Sequence, residues 1–156
     1  MRIIPGDFDD RRIIDLLAHH FISARAQTAA GSAHALDLGG LQSPDIGFWA
    51  LWDGEALLGI GALKRLSVVH GEVKSMHIAE VHRGRGAGSA MLDHIIAAAR
   101  ADGLARLSLE TGSWEYFLPA RRLYARRGFV ECAPFGDYRS DPNSVFMTLD
   151  LQETRA

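Results

Sequence analysis

Three glycines stand at alternate positions, 84, 86 and 88, and two arginines precede the first pair, so the segment reads Arg83-Gly84-Arg85-Gly86-Ala87-Gly88 before Ser89. A backbone of this kind can approach a ligand closely and turn its amides toward it. Met91, Leu92, Ile95, Ile96 and Ala99 then recur at helical spacing, which predicts a helix from Ser89 to Ala101. The unpaired first N–H groups and the dipole of that helix favour an anion at the loop. Arg83 and Arg85 add charge-assisted hydrogen bonds, which suit a diphosphate better than a neutral ligand. Two familiar nucleotide patterns do not fit. Counting G-x-G-x-x-G from Gly84 puts Ser89 in the last place, counting from Gly86 puts Met91 there, and no Gly-Lys-Ser/Thr ending is present. A glycine turn that only lets helix and strand pack closely stays open at this point.

The elements around the loop follow from periodicity. Met1 to Pro5 suits a short first strand, and Ile13, Ile14, Leu16, Leu17 and Phe21 form a helical stripe after the cap candidates Asp9 and Asp10. Ala26 to Pro44 is rich in Ala, Gly, Ser and Asp and is read as a mobile region, apart from a helical turn at His34 to Leu38. Ile46–Trp52 and Ala56–Leu63 flank Asp53-Gly54 as the two arms of a hairpin. A third strand is expected over Glu72–Ile78, with Glu72, Lys74, Met76 and Ile78 on one face and Val73, Ser75 and His77 on the other. Asp102-Gly103 ends the loop helix, and Ala105–Glu110 returns as a strand. The result is a right-handed βαβ unit with parallel strands. Pro119 suits the first turn of a further helix, Arg126, Arg127 and Gly128 its end, and Phe129–Cys132 and Val145–Leu151 the closing strands. The fold class expected is α/β of the α+β type, one domain over residues 1–156 with a mixed central sheet flanked by helices.

Composition narrows the field. The 156 residues are 47% hydrophobic and 23% charged, near the averages of a chain that buries one core. A net charge of −2 disfavours a nucleic acid as the main partner, although six arginines gather in two short segments, and those of the second segment suit a solvated helix face. Apolar runs are too short for a membrane span. The lone Cys132 and the opening MRIIPGDFDD, which lacks an apolar stretch after a basic one, predict a reducing, cytoplasmic setting. The seven histidines have no metal-ligand spacing with Cys132, so no metal is expected.

The loop motif resembles the R/Q-x-x-G-x-G/A signature of the GCN5-related N-acetyltransferases, and it occupies the same place between a central strand and a long helix. Ala120-Arg-Arg-Leu-Tyr-Ala-Arg-Arg-Gly-Phe129 is similar to that family's later A-x-x-L-Y-x-x-x-G-F helix. The likeness runs from about Ile46 to Leu151. It implies an acetyltransferase that uses acetyl-coenzyme A as cosubstrate. Backbone groups of Met76, His77 and Ile78 would pair with the pantetheine arm and polarise the thioester carbonyl, and Arg83, Gly84, Arg85, Gly86, Ala87, Gly88 and Ser89 would hold the pyrophosphate.

Acetyl transfer to an amine also needs a base and a proton for the departing thiolate. Tyr124 takes the family's tyrosine position and would donate that proton; its alternative is an aromatic packing residue. Glu72, eleven positions before Arg83, matches a glutamate that acts as general base in some members. A glutamate paired with Lys74 on the surface is the competing reading. Glu110, at the carboxyl end of the parallel strand, is the second candidate, either as base or as the group that holds the amine. His77, His19 and His20 could titrate near neutrality but suit structural hydrogen bonds equally. Ser32, His34 and Asp37, with Tyr138, Arg139, Asp141 and Asn143, are candidates to line the mouth for a small-molecule or peptide amine acceptor, and a homodimer is left open. A domain that binds an acyl-coenzyme A or a nucleotide only as a signal, without chemistry, is the alternative function.

Overall fold

A computed structural model describes residues 1–26 and 38–152. Its elements are β1 (Arg2–Pro5), α1 (Arg11–Ala26), α2 (Leu38–Leu41), β2 (Ile46–Asp53), β3 (Ala56–Arg65), β4 (His70–Ile78), α3 (Ala87–Ala101), β5 (Arg106–Gly112), α4 (Leu118–Arg126), β6 (Val130–Glu131) and β7 (Ser144–Asp150). Short 3-10 turns at Glu80–His82 and Glu115–Phe117 precede α3 and α4. Ser32, His34, Asp37 and most of the expected His34–Leu38 turn lie outside the described residues; a helical turn does occur at Leu38–Leu41.

The strands form one sheet in the order β1-β2-β3-β4-β5-β7-β6. Every neighbouring pair is antiparallel except β4 and β5, which are parallel as the βαβ rule requires. Asp10 starts α1: its carboxylate accepts from the Arg12 amide at 2.9 Å, and its carbonyl accepts from the amides of Ile13 and Ile14. That helix buries Ile13 and Leu17 on one face of the sheet against Phe48, Ala50, Trp52, Ile60 and Ala62. On the opposite face α3 buries Met91, Leu92, Ile95, Ile96 and Ala99 against Leu51, Leu58, Leu63, Val73, Leu107 and Leu109. Each Leu, Ile, Val, Phe or Met among them contributes on the order of 1.5–3 kcal/mol. The two layers clamp the middle strands from both sides.

Two departures from regular pairing shape the centre. First, β4 and β5 pair only from His70–Arg106 to Glu72–Ser108, and beyond that they separate. The edge of β4 after Glu72 therefore has no strand partner on the β5 side. Second, Ile60 lies opposite His77 while Ala62 lies opposite Lys74, so β4 carries one residue more than β3 across this interval. Ser75 absorbs it with a positive φ of 51°. This bulge overturns the expected alternation. Glu72 and Lys74 keep one face, but His77 joins them toward α1, while Met76 and Ile78 swing to the α3 side and pack on the core with Val73. An inserted residue reverses the side of every side chain that follows it.

Candidate active site

The separation of β4 and β5 opens a cavity of about 540 Å³. Its walls are β4 from Glu72 to Ile78, β5 from Leu109 to Gly112, the first turn of α3 with the glycine loop, and α4 from Pro119 to Arg126. Size and depth suit a small organic ligand rather than a bare ion.

At one end lies the glycine loop. Gly84 and Gly86 both hold positive φ, 83° and 82°, and nothing stands within 4 Å of where a Cβ would project from either. Gly86 is the N-cap of α3, so the helix opens with main-chain amides and no side-chain cap over them. It begins at Ala87, two residues before the expected start at Ser89. Gly88 serves packing: a Cβ there would lie 3.2 Å from Leu123 Cδ2, which brings α4 against the start of α3. Arg83 lines the cavity and donates from Nε to the Ile78 carbonyl at 3.2 Å. Arg85 turns elsewhere, forming an ion pair with Asp53 and a contact to His82 Nδ1 at 3.1 Å. Of Arg85, only the main chain is placed to serve the loop.

At the other end the charged groups gather. Glu72 is 3% exposed; Tyr138 Oη donates to its Oε2, and Lys74 Nζ stands 3.4 Å away while donating to Tyr138 Oη at 2.9 Å. The pairing with Lys74 is thus present, but inside the protein rather than on its surface. Burial, then the Glu72 carboxylate, push the Tyr138 phenol upward and keep it a donor. Glu110 lines the cavity and accepts from Ser144 Oγ at 2.8 Å. Burial raises its carboxyl to about 7, against the lowering effects of Ser144 and Lys74. Tyr124 is buried in α4 with its ring against Phe129, and burial followed by the Glu110 charge pushes it up to about 12. Tyr124 therefore senses the Glu110 charge across the cavity that both line.

On the α1 side, His20 Nδ1 lies 3.1 Å from His77 Nδ1, and the His19 ring meets His77 edge-on. Two ring nitrogens at that distance need one donor and one acceptor. Burial lowers His20 to about 4 and His77 to about 3, which keeps both neutral. Two buried polar atoms on β4, Ser75 Oγ and His77 Nε2, make no hydrogen bond among the described residues. Of the polar loop candidates, Tyr138 reaches the site and Arg139 is exposed. Asn143 takes part in the local turn, donating to Asp141 and accepting from Trp114 Nε1. Sequence reasoning left Arg126 on the solvated helix face, yet it borders the cavity; the stripe Pro119, Leu123, Arg126 on α4 is the signal that would have found it.

Comparison with known proteins agrees with this geometry. A family model described as the acetyltransferase (GNAT) family matches residues 13–129. The uncharacterized N-acetyltransferase YsnE of Bacillus subtilis is 46% identical over 151 residues, 97% of this chain and all of that one. The solved structure of an aminoglycoside 6'-N-acetyltransferase complexed with coenzyme A superposes with a TM-score of 0.73 at 12% identity and full coverage of both chains, a likeness of fold alone. A second solved structure, of a Klebsiella pneumoniae protein provisionally described as an acyl-CoA N-acyltransferase, has a TM-score of 0.77 at 29% identity, with 96% and 97% of the chains covered. With its split mixed sheet, its glycine loop at the head of α3 and its tyrosine-bearing α4, this chain belongs to the GNAT acetyltransferase family.

Proposed function

We propose that the protein moves an acetyl group from acetyl-coenzyme A to a primary amine of a small molecule or peptide, by direct attack within a ternary complex. The observation that carries this reading is the meeting in one cavity of Glu110, at about 7, with Tyr124 and an anion-receptive loop. A carboxylate that titrates near neutrality is matched to proton transfer at working pH.

Pyrophosphate oxygens are held by the main-chain amides from Gly84 to Ser89 and by the Arg83 guanidinium. The open edge of β4 from Met76 to Ile78 receives the pantetheine arm as an added strand, and an amide beyond the bulge polarises the thioester carbonyl. Glu110 takes a proton from the amine as its nitrogen bonds to the acetyl carbon and the carbon–sulfur bond breaks. Glu72 is held by Tyr138 and Lys74, so the base is Glu110. Tyr124 hydrogen-bonds to the departing sulfur and returns a proton to it. A phenol at about 12 is a weak acid beside a thiol near 8.5, but the thiolate forms in the same dry cavity, which strengthens it as a base. The proton taken by Glu110 then restores the Tyr124 phenol, which burial first and the Glu110 charge second hold well above the carboxyl.

The test is release of free thiol from acetyl-coenzyme A in the presence of a panel of primary amines. Acetylated product with stoichiometric thiol supports the reading. Tight binding of the coenzyme with no turnover across carboxylated, polyamine, aminoglycoside and peptide amines favours the signal-binding domain instead.

A further inference from the structure

The coenzyme that the proposed function places in the cavity carries three phosphates, two in its pyrophosphate and one on its ribose, yet the glycine loop and Arg83 account for two. Arg85, the second arginine of the loop, is occupied by Asp53 and His82. Another arginine borders the site. Arg126 lies on the α4 stripe that includes Pro119 and Leu123, and Leu123 packs over Gly88 in the first turn of α3. The next residue, Arg127, fixes this placement by donating to both carboxylate oxygens of Asp93 on α3, at 2.7 and 3.3 Å. The end of α4 is thereby pinned alongside the first turns of α3, with Arg126 exposed at the rim of the cavity. Among the described residues its guanidinium has no ion pair or hydrogen bond. It borders the same cavity as Arg83 and the glycine loop.

We infer that Arg126 is the binding residue for the ribose phosphate of the coenzyme. The inference rests on the acetyl-coenzyme A reading of the cavity. If the thioester lies among Glu110, Tyr124 and the β4 edge, and the pyrophosphate on the loop, the nucleotide end must extend outward past the start of α3, along the rim that Arg126 occupies. A guanidinium gives a phosphate monoester a bidentate partner. The competing role is that of a basic residue at a helix C-terminus, which acts on the helix dipole and ignores the ligand.

The experiment measures dissociation constants of the full chain and of Arg126→Gln for coenzyme A and for dephospho-coenzyme A, which lacks only the ribose phosphate, with urea stability of both ligand-free proteins alongside. The expected result is about tenfold weaker coenzyme A binding by the variant, with dephospho-coenzyme A bound within twofold of the native protein. Arg126→Lys should recover part of the loss. Equal losses for the two ligands, or no loss for either, overturn the assignment. Reduced stability with unchanged affinity assigns Arg126 to the helix end and overturns it too. A native protein that binds neither ligand refutes the coenzyme reading itself.

Discussion

Replacing Glu110 with glutamine removes one titration from the cavity while keeping its volume and its acceptor for Ser144. Burial lifts the Glu110 carboxyl from 4.5 to about 7. The folded protein therefore holds this proton more tightly than the unfolded chain does. Its contribution to stability is full below pH 4.5 and is lost as the pH rises through 7, a change of about 3 kcal/mol at 1.36 kcal/mol per pH unit. The neutral histidine pair works in the opposite sense. With His20 at about 4 and His77 at about 3 against an ordinary 6.5, their contribution is full above pH 6.5 and is lost as the pH falls toward those values. A stability profile of the native protein alone mixes the two trends, so the quantity to follow is the difference between native protein and Glu110→Gln, from urea unfolding at intervals from pH 4.5 to 8. That difference should move by about 3 kcal/mol in favour of the variant as the pH rises. In steady-state assays the native kcat/KM should rise through about pH 7, and the variant should lose that inflection with 10² to 10⁴ of the rate. A stability difference that stays flat with pH would show that Glu110 is not held protonated by its surroundings. A native rate profile without an inflection near 7 would remove it as the base.

Tyr124→Phe should lower single-turnover acetyl transfer by 10² or more while equilibrium binding of acetyl-coenzyme A changes little; native turnover would make the residue a packing aromatic. Gly86→Glu forces a side chain and a negative charge onto a position with φ of 82° at the head of α3, and acetyl-coenzyme A should then no longer raise Tm, whereas a retained shift would remove the loop from the site. Ser75→Gly should stabilise the ligand-free protein by about 1 kcal/mol in urea unfolding, because it relieves a left-handed backbone and removes a buried hydroxyl without a partner; lower stability would mean that the hydroxyl is satisfied in solution.

The parts of the molecule that could be read in the sequence are those set by local spacing. The hairpin about Asp53-Gly54, the glycine-headed α3, its stop at Gly103 and the proline-started α4 each carry their signal within a few residues. Strand β4 departs from its expected alternation at one point because a serine in a left-handed conformation leaves no mark in composition, and everything beyond Ser75 changes sides. Arg85 shows the limit of motif reasoning. Its position suggests a phosphate ligand, but Asp53 claims its guanidinium from 32 residues away. Glu72 ranks first as a candidate and Glu110 second, and the fold reverses them: the loop holding Tyr138 reaches Glu72, while burial, with no salt bridge among the described residues, governs Glu110.

The short parallel contact between β4 and β5 gives the sheet the mechanics of a pair of shears. Its pivot is three residue pairs long, and the blade beyond it, from Val73 to Ile78, is about 20 Å at roughly 3.3 Å per residue. A small rotation at the pivot becomes a growing displacement along the blades toward their tips. The rivet is a polar chain: His70 Nε2 lies 2.7 Å from Ser108 Oγ, Ser108 Oγ lies 2.8 Å from Thr148 Oγ1, and Arg106 donates to Thr148 at 2.9 Å. These side chains tie β4, β5 and β7 together at the closed end of the gap, two residues along β5 from Glu110.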